Sequence, residues 1–201
     1  MTAPAKRRAT YADLQAVSPT LVAEIIDGDL VTHPRPLPRH GIAAMELGGE
    51  LRAAFGRGPR GPGGWIFMPE PELHLGPDIV VPDLAGWRRE RFAAMPETNR
   101  ATPPPDWVCE IISPSTERYD RGTKRRIYAR AGVPFMWLLD PRSRFLEAFT
   151  LVNASWLLGG TFEDQDEVRA PPFEAVAFPL GALWPFDAPP EDTPNDEPSE
   201  G

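Results

Sequence analysis

Two carboxylates lie at positions that a folding chain usually fills with apolar residues. Asp83 is part of Ile79-Val80-Val81-Pro82-Asp83-Leu84-Ala85, and Glu110 is part of Trp107-Val108-Cys109-Glu110-Ile111-Ile112. Both runs are rich in β-branched and aromatic residues, which is typical of short buried strands. Because side chains alternate along a strand, Glu110 shares an apolar face with Val108. Burying an unpaired carboxylate is unfavourable by several kcal/mol, so such a group is normally paired with a cation or bound to a metal.

These acids indicate metal-assisted phosphodiester hydrolysis. Hard carboxylate oxygens suit Mg²⁺ or Mn²⁺, which keep several waters and usually take one or two protein carboxylates. Such an ion polarises a phosphate oxygen and lowers the pKa of a bound water. Lys124 is the nearest candidate partner, since it lies early in the helix predicted after the Glu110 strand and its long side chain could reach back to Glu110. Its ammonium would neutralise charge that develops on the phosphorane or hold the attacking hydroxide.

The same residues also have structural interpretations. Asp83 could simply end a strand after Pro82. Lys124 could pair with Asp120, four residues earlier, on an exposed helix surface, an interaction worth only about 0.3 kcal/mol. Glu110 is harder to explain structurally because its neighbours on the strand are apolar.

Accessory roles are open for several neighbouring residues. Glu72 alternates with apolar residues and could be an additional ligand, an orienting acid or part of the scaffold. His40, at the start of a predicted helix, could bind phosphate or orient a neighbour, although a lone histidine is more often structural. Tyr128 fits a packed helix residue better than a catalyst, and Cys109 fits a small core residue.

The charge of the chain is unevenly distributed. The formal net charge is −8, but the six acids from Asp187 onward account for −6 of it and leave −2 for the rest. Six basic residues lie between Arg118 and Arg130, a density that could contact phosphates, and we expect Arg121 and Arg125 to do so. A solvated helix face explains the outer arginines equally well.

Length and composition predict one domain over residues 10–186, preceded by a flexible segment at 1–9 and followed by a disordered acidic, Pro-rich tail at 187–201. We expect no membrane span, since no apolar run approaches about 20 residues. A single cysteine and the absence of a secretory signal fit a cytoplasmic location.

Periodicity and turn residues predict the elements that position these side chains. The predicted elements are a helix at Tyr11–Val17 capped by Thr10, a hairpin around Asp27-Gly28, a helix at His40–Phe55, strands within Trp65–Leu75, a loop at Arg88–Pro105, a helix from Asp120 to Ala131, a hairpin of Phe135–Leu139 with Phe145–Val152, and strands at Trp156–Phe162 and Ala175–Phe178. In the second helix, Ala43, Leu47, Leu51 and Phe55 form an apolar stripe.

Four stretches of the chain carry a likeness to a known family. They are Val81-Pro82-Asp83-Leu84, Pro105-Asp106-Trp107-Val108-Cys109-Glu110-Ile111-Ile112-Ser113-Pro114-Ser115-Thr116, then Asp120, Lys124 and Tyr128, and Gly132-Val133-Pro134-Phe135-Met136-Trp137-Leu138-Leu139-Asp140-Pro141. These motifs resemble the Uma-two restriction-endonuclease family, within the PD-(D/E)xK nuclease superfamily. With Glu24-Ile25-Ile26-Asp27-Gly28-Asp29-Leu30 and the helix opening at His40, the likeness covers residues 10–185.

The resemblance implies an α/β (α+β) fold, a mixed β-sheet flanked by helices with a restriction-endonuclease-like core and additional antiparallel hairpins. It implies that Asp83, Glu110 and Lys124 are catalytic, with a metal held by both acids and the backbone carbonyl of Ile111. One departure is Ile112, which stands where the superfamily signature has its lysine, and Lys124 on the following helix matches the moved lysine.

The resemblance further implies a Mg²⁺-dependent endonuclease acting on DNA, in which a homodimer could bring two active sites onto two strands. The alternative is a nucleic-acid-binding or protein-binding module that keeps the nuclease scaffold without turnover. Retention of both acids and the lysine favours the enzyme, whereas an acidic chain without a broad basic surface leaves room for the binding module.

Overall fold

The computed structural model describes residues 7–56, 60–92, 97–98 and 100–186. The acidic tail predicted at 187–201, and most of the flexible segment predicted at 1–9, lie outside these residues. Where described, the N-terminal segment contacts the first hairpin, since the amide of Ala9 donates to the carbonyl of Gly28 at 2.8 Å. No helix in the described ranges is long and apolar enough to cross a membrane.

Thirteen strands and three α-helices make up the described part of the chain. The helices are α1 (Tyr11–Gln15), α2 (Pro38–Leu51) and α3 (Arg125–Arg130). The strands are β1 (Leu21–Ile26), β2 (Asp29–Pro34), β3 (Trp65–Pro69), β4 (Glu72–Leu75), β5 (Asp78–Val80), β6 (Leu84–Arg88), β7 (Arg100–Ala101), β8 (Trp107–Ile111), β9 (Phe135–Asp140), β10 (Phe145–Val152), β11 (Ser155–Glu163), β12 (Glu167–Val168) and β13 (Phe178–Pro179). Two π-helical segments adjoin the helices, Arg52–Gly56 after α2 and Tyr119–Lys124 before α3, and 3₁₀ turns lie at Arg89–Arg91 and Leu180–Leu183.

Two mixed sheets form the body of the protein. The larger has the order β11-β10-β9-β8-β6-β3 and is antiparallel except for the pair β8 and β9. The smaller has the order β2-β1-β5-β4-β7, with one parallel pair, β4 and β7. The predicted fold class, a mixed sheet with flanking helices and antiparallel hairpins, is therefore confirmed.

The central strand β8 separates two apolar cores. Its residues Cys109 and Ile111 pack in one core with the apolar stripe of α2, as the fourfold spacing of that stripe predicts. Val108 lies in the other core, together with Ile127 of α3 and Leu73 of the smaller sheet. Glu110 points to this second side, because side chains alternate along the strand.

The hairpin of β1 and β2 forms as predicted. Asp27 and Gly28 adopt φ angles of 53° and 88°, the positive values that a two-residue hairpin turn requires. The register places Glu24 opposite Val31. The Thr10 cap is also confirmed, since its hydroxyl accepts the amide of Asp13 at the start of α1.

The single strand predicted over Ile79–Ala85 is wrong. The chain forms β5 in the smaller sheet and then β6 in the larger one, with residues 81–83 crossing between them. Pro82 has no amide hydrogen to continue a ladder, which favours a break at this point. Asp83 therefore lies where the two sheets meet.

The start of the third predicted helix is also wrong. Helical structure begins at Glu117, because the carbonyl of Ser113 accepts the amides of Thr116 and Glu117 and starts the turn early. Asp120 is consequently a buried residue inside the helix rather than the residue at which the helix begins. Lys124 lies on the turn that follows it.

Two smaller predictions need correction. Of the strand predicted at Ala175–Phe178, only Phe178 is paired, and it forms β13 with Pro179 opposite β12. The loop predicted at Arg88–Pro105 contains a 3₁₀ turn and the short strand β7, which joins the edge of the smaller sheet.

Leu47→Ala should lower the free energy of unfolding by about 2–5 kcal/mol, because Leu47 is fully buried between α2 and the larger sheet and its truncation leaves a cavity. Met45→Ala on the same helix is the matched control, since Met45 is 77% exposed and should change stability by no more than about 0.5 kcal/mol. Urea denaturation followed by circular dichroism measures both. Equal effects of the two substitutions would contradict this packing of α2.

Candidate active site

Asp83 is fixed beside Glu110 by hydrogen bonds to two elements. Its Oδ2 accepts the amide hydrogen of Ile111, the residue that follows Glu110, at 2.6 Å. Its Oδ1 lies 2.6 Å from His40 Nε2, in the first turn of α2. The crossover between the sheets is thereby held against β8, and the two predicted acids lie close together.

Lys124 is surrounded by carboxylates. Its Nζ lies 2.9 Å from Glu24 Oε1, 3.2 Å from Glu110 Oε2 and 3.4 Å from Asp120 Oδ1. The ammonium also donates to the carbonyl of Val81 at 3.4 Å. With only 4% of its side chain exposed, Lys124 is not part of an exposed surface pair with Asp120. The surface interpretation of this residue is therefore wrong.

Glu24 of β1 is a site residue that the sequence reasoning did not select. Its Oε1 accepts the amide hydrogen of Val81 at 2.7 Å, so Glu24 joins β1 to the crossover that carries Asp83. His33 Nε2 lies 3.6 Å from the other oxygen, Oε2, beyond hydrogen-bond distance. The signal was present, because Glu24 lies within the apolar run Leu21–Ile26, just as Glu110 does within its own strand.

Tyr128 takes part in the site as well as in the core. Its ring is fully buried, as predicted, and its hydroxyl donates to Glu110 Oε1. Lys124 binds the other oxygen of the same carboxylate. Both oxygens of Glu110 are therefore held by side chains of one helix face, the face that the fourfold spacing of Asp120, Lys124 and Tyr128 defines.

Burial and the neighbouring charges both shift the pKa values of the site. Burial, together with the nearby Asp120, Asp83 and Glu24, raises the pKa of Glu110 well above its usual range despite the attraction of Lys124. Burial also raises the pKa of Asp120. For Lys124, burial favours the neutral form, but the surrounding carboxylates outweigh it and raise the pKa well above its ordinary value.

Glu24 differs from Glu110 and Asp120, because its pKa is lowered rather than raised. Burial alone would raise its pKa, but attraction to Lys124 and the hydrogen bond from the Val81 amide lower it. The surroundings therefore favour the charged forms of Glu24 and Lys124.

A cavity of about 370 Å³ opens onto these side chains. Asp83, Glu110 and Lys124 lie on its wall, together with Glu24, Asp120, His33 and His40. The outer wall comes from the segment between β2 and α2, from the turn before the third helix and from the loop after β9.

Three predicted accessory residues lie elsewhere. Glu72 does not line the cavity, and its carboxylate lies 2.6 Å from His74 Nε2 on the same strand. Arg121 pairs with Glu117 and Glu147. Neither Arg121 nor Arg125 lines the cavity, so their contacts with phosphate stay predictions.

The guanidinium of Arg125 has an apolar partner, since it lies 4.4 Å from the ring centroid of Phe149.

His40 lies where the orienting role considered for it requires, because it lines the cavity and contacts Asp83. The amide of Ile111 is placed beside Asp83, while metal ligation by its carbonyl stays a prediction.

Lys124→Met should lower the free energy of unfolding by about 3–5 kcal/mol, because it leaves the buried carboxylates without their cation. Arg126→Met, on an exposed position two residues later, should change stability by no more than about 0.5 kcal/mol. Glu24→Gln should destabilise the wild type but restore part of the loss in the Lys124→Met background, since it then removes an unpaired charge. Urea denaturation in EDTA measures the wild type and the four variants, and strictly additive effects of Glu24→Gln and Lys124→Met would contradict the coupling.

Comparison with known proteins finds a family match over most of the chain. The profile of the Uma2 family, described as "Putative restriction endonuclease", matches residues 8–181. No curated protein matches the chain. A crystal structure at 1.96 Å of "a putative nuclease belonging to DUF820" from Anabaena variabilis ATCC 29413 is similar in fold, with a TM-score of 0.66 and 19% identity over 81% of this chain and 89% of that chain. The chain belongs to the Uma2 family.

Proposed function

We propose that this protein is a metal-dependent endonuclease that hydrolyses phosphodiester bonds in DNA, with Mg²⁺ or Mn²⁺ as its cofactor. One observation carries the proposal. Asp83 is hydrogen-bonded to the residue next to Glu110, and Lys124 lies 3.2 Å from Glu110 at the wall of an accessible cavity. Two acids and a lysine in this arrangement, in a member of the Uma2 family, support phosphodiester chemistry.

The donor set fits a divalent cation. Four carboxylates, those of Glu24, Asp83, Glu110 and Asp120, line one cavity beside a single lysine. Glu24 Oε2 is buried and accepts no hydrogen bond from the described residues, and Asp120 Oδ1, also without a hydrogen bond there, has an ion pair with Lys124 Nζ at 3.4 Å. Buried acceptors of this kind are unfavourable unless a cation or donor compensates them, so the site has room for additional positive charge.

Asp83, Glu110 and the Ile111 carbonyl are the groups that would hold the ion. When bound, it would polarise a phosphate oxygen and lower the pKa of a coordinated water. Across the described ranges, no three His, Cys, Asp or Glu side chains are grouped closely enough to hold a metal by themselves. Mg²⁺ keeps several waters and usually takes one or two protein carboxylates, so Asp83 and Glu110 would suffice for it.

Lys124 acts as a cation in this proposal rather than as a general base. The surrounding carboxylates raise the pKa of Lys124, so its ammonium stays protonated at neutral pH. A fixed ammonium beside Glu110 can stabilise the negative charge that develops on the phosphorane without rearranging. Its contacts with carboxylates from β1, β8 and the helix keep it in place.

The histidine and the tyrosine position the acids. His40 Nε2 and the Ile111 amide contact different oxygens of Asp83, which fixes the plane of that carboxylate. Tyr128 holds one oxygen of Glu110 and Lys124 holds the other, which fixes the plane of that carboxylate as well. Each carboxylate oxygen has a second lone pair available to a ligand.

Asp83→Asn and Glu110→Gln should each lower the rate of metal-dependent DNA cleavage by about 10²-fold or more, because each removes a carboxylate that would hold the ion. The substrates are circular single-stranded DNA and supercoiled plasmid, each with Mg²⁺ or Mn²⁺, and the products are separated on agarose gels. EDTA should abolish cleavage by the wild-type protein.

Glu72→Gln is the matched control. Glu72 and Asp83 each lie 2.6 Å from a histidine nitrogen and each expose 17% of the side chain, but only Asp83 lines the cavity. Glu72→Gln should therefore cleave at the wild-type rate. If wild-type protein cleaves neither DNA with either metal, the endonuclease proposal fails and the alternative, a binding module on a nuclease scaffold, takes its place.

A further inference from the structure

The acids and the lysine lie deep in the protein. The side chains of Glu110 and Lys124 expose only 2% and 4% of their surface, and Asp83 exposes 17%. A phosphodiester must therefore enter the cavity to reach them. The phosphates of an intact duplex are held on the outside of a wide, stiff helix and cannot leave that path without deforming the duplex, which is unfavourable.

The size of the cavity also argues against an intact duplex as the substrate. Its volume of about 370 Å³ lies near the lower end of the range of about 300–1,000 Å³ that small-molecule pockets occupy. Space on this scale suits one nucleotide with its phosphate. Enzymes that act on a nucleotide in such a pocket take single-stranded substrate or extrude one nucleotide from the duplex.

An exposed apolar residue lies at the rim. Leu37 is 75% exposed and lines the cavity, between Arg35 and Arg39. It lies between Pro36 and Pro38, whose rings fix their own φ angles and restrict the residues before them. Leu37 is therefore held in solvent by a stiff segment, where an unstacked base could cover it.

The rim also provides hydrogen-bond donors for phosphate. Ser113, Ser115 and Thr116 line the cavity and share hydroxyl contacts of 2.9–3.0 Å. Arg35 and Arg142 line it as well, each paired with a carboxylate through some of its five N–H groups. Hydroxyls and guanidinium groups are common phosphate partners that fix the position of a strand without reading its sequence.

We propose that the substrate enters this cavity as a single strand or as an unpaired segment of a duplex, with an unstacked base against Leu37 and neighbouring phosphates on the hydroxyls and arginines of the rim. Fully paired duplex is excluded. This inference rests on the proposed nuclease function, since it assigns the form of DNA that reaches Asp83 and Glu110.

Binding tests the inference without turnover. The protein carries Asp83→Asn and is kept in EDTA, so that nothing is cleaved, and fluorescence anisotropy follows three fluorescein-labelled probes: a short single strand, its blunt duplex, and the duplex with an unpaired extension. The single strand and the extended duplex should bind roughly tenfold more tightly than the blunt duplex. Equal or tighter binding of the blunt duplex would overturn the inference.

The role of the rim is tested in the same assay. Leu37→Ala should weaken binding of the single strand by roughly fivefold, because the base loses its apolar contact, and should leave the blunt duplex unaffected. Met45→Ala is the control, since Met45 is equally exposed on α2 but does not line the cavity. If both substitutions weaken the single strand equally, Leu37 has no contact with the base and the proposed mode of entry is wrong.

Cleavage separates this inference from the function on which it rests. Wild-type protein with Mn²⁺ should cut the single strand and the unpaired extension but not the blunt duplex. Equal cleavage of the blunt duplex would support the nuclease and refute single-strand entry. Cleavage of none of the probes, together with tighter binding of the single strand, would refute the nuclease while supporting the strand selectivity.

Discussion

The buried ammonium of Lys124 is the group on which the geometry of the candidate site depends. Its partners come from three elements: Glu24 from β1, Glu110 from β8 and Asp120 from its own helix. Removing one charge from water is unfavourable by several kcal/mol, and only a shell of this kind offsets it. Because the shell includes both sheets, the contact that neutralises Lys124 also holds the crossover with Asp83 against β8.

The same shell is the reason for proposing a further cation in the site. Burial, together with the imbalance of four acids against one lysine, raises the pKa of Glu110 and of Asp120. The helix that supplies Asp120 and Lys124 is π-helical at both residues, and π-helical turns are rare and concentrate at functional sites. The fold therefore keeps a locally unfavourable charge distribution and an unusual helix at one place, which is typical of active sites rather than of scaffolding.

Much of this was predictable from the sequence because the signals are local. Strand periodicity placed Glu110 on an apolar face, and the hairpin, the stripe of α2 and the fold class were confirmed. The break at Asp83 was missed, since periodicity does not tell which sheet a strand joins. Burial of Lys124 could not be predicted, because it depends on Glu24, which is distant in sequence. The same limit applies to Arg125, whose partner Phe149 belongs to a later strand.

The central claim is that the excess of carboxylates beside Lys124 forms one divalent-cation site between Asp83 and Glu110. Titration calorimetry with Mn²⁺ tests it most directly, because it needs no substrate. Wild-type protein and Glu72→Gln should each bind one ion with the same affinity, whereas Asp83→Asn and Glu110→Gln should bind none at that site. Equal binding by all four proteins, or binding by none, would contradict the account.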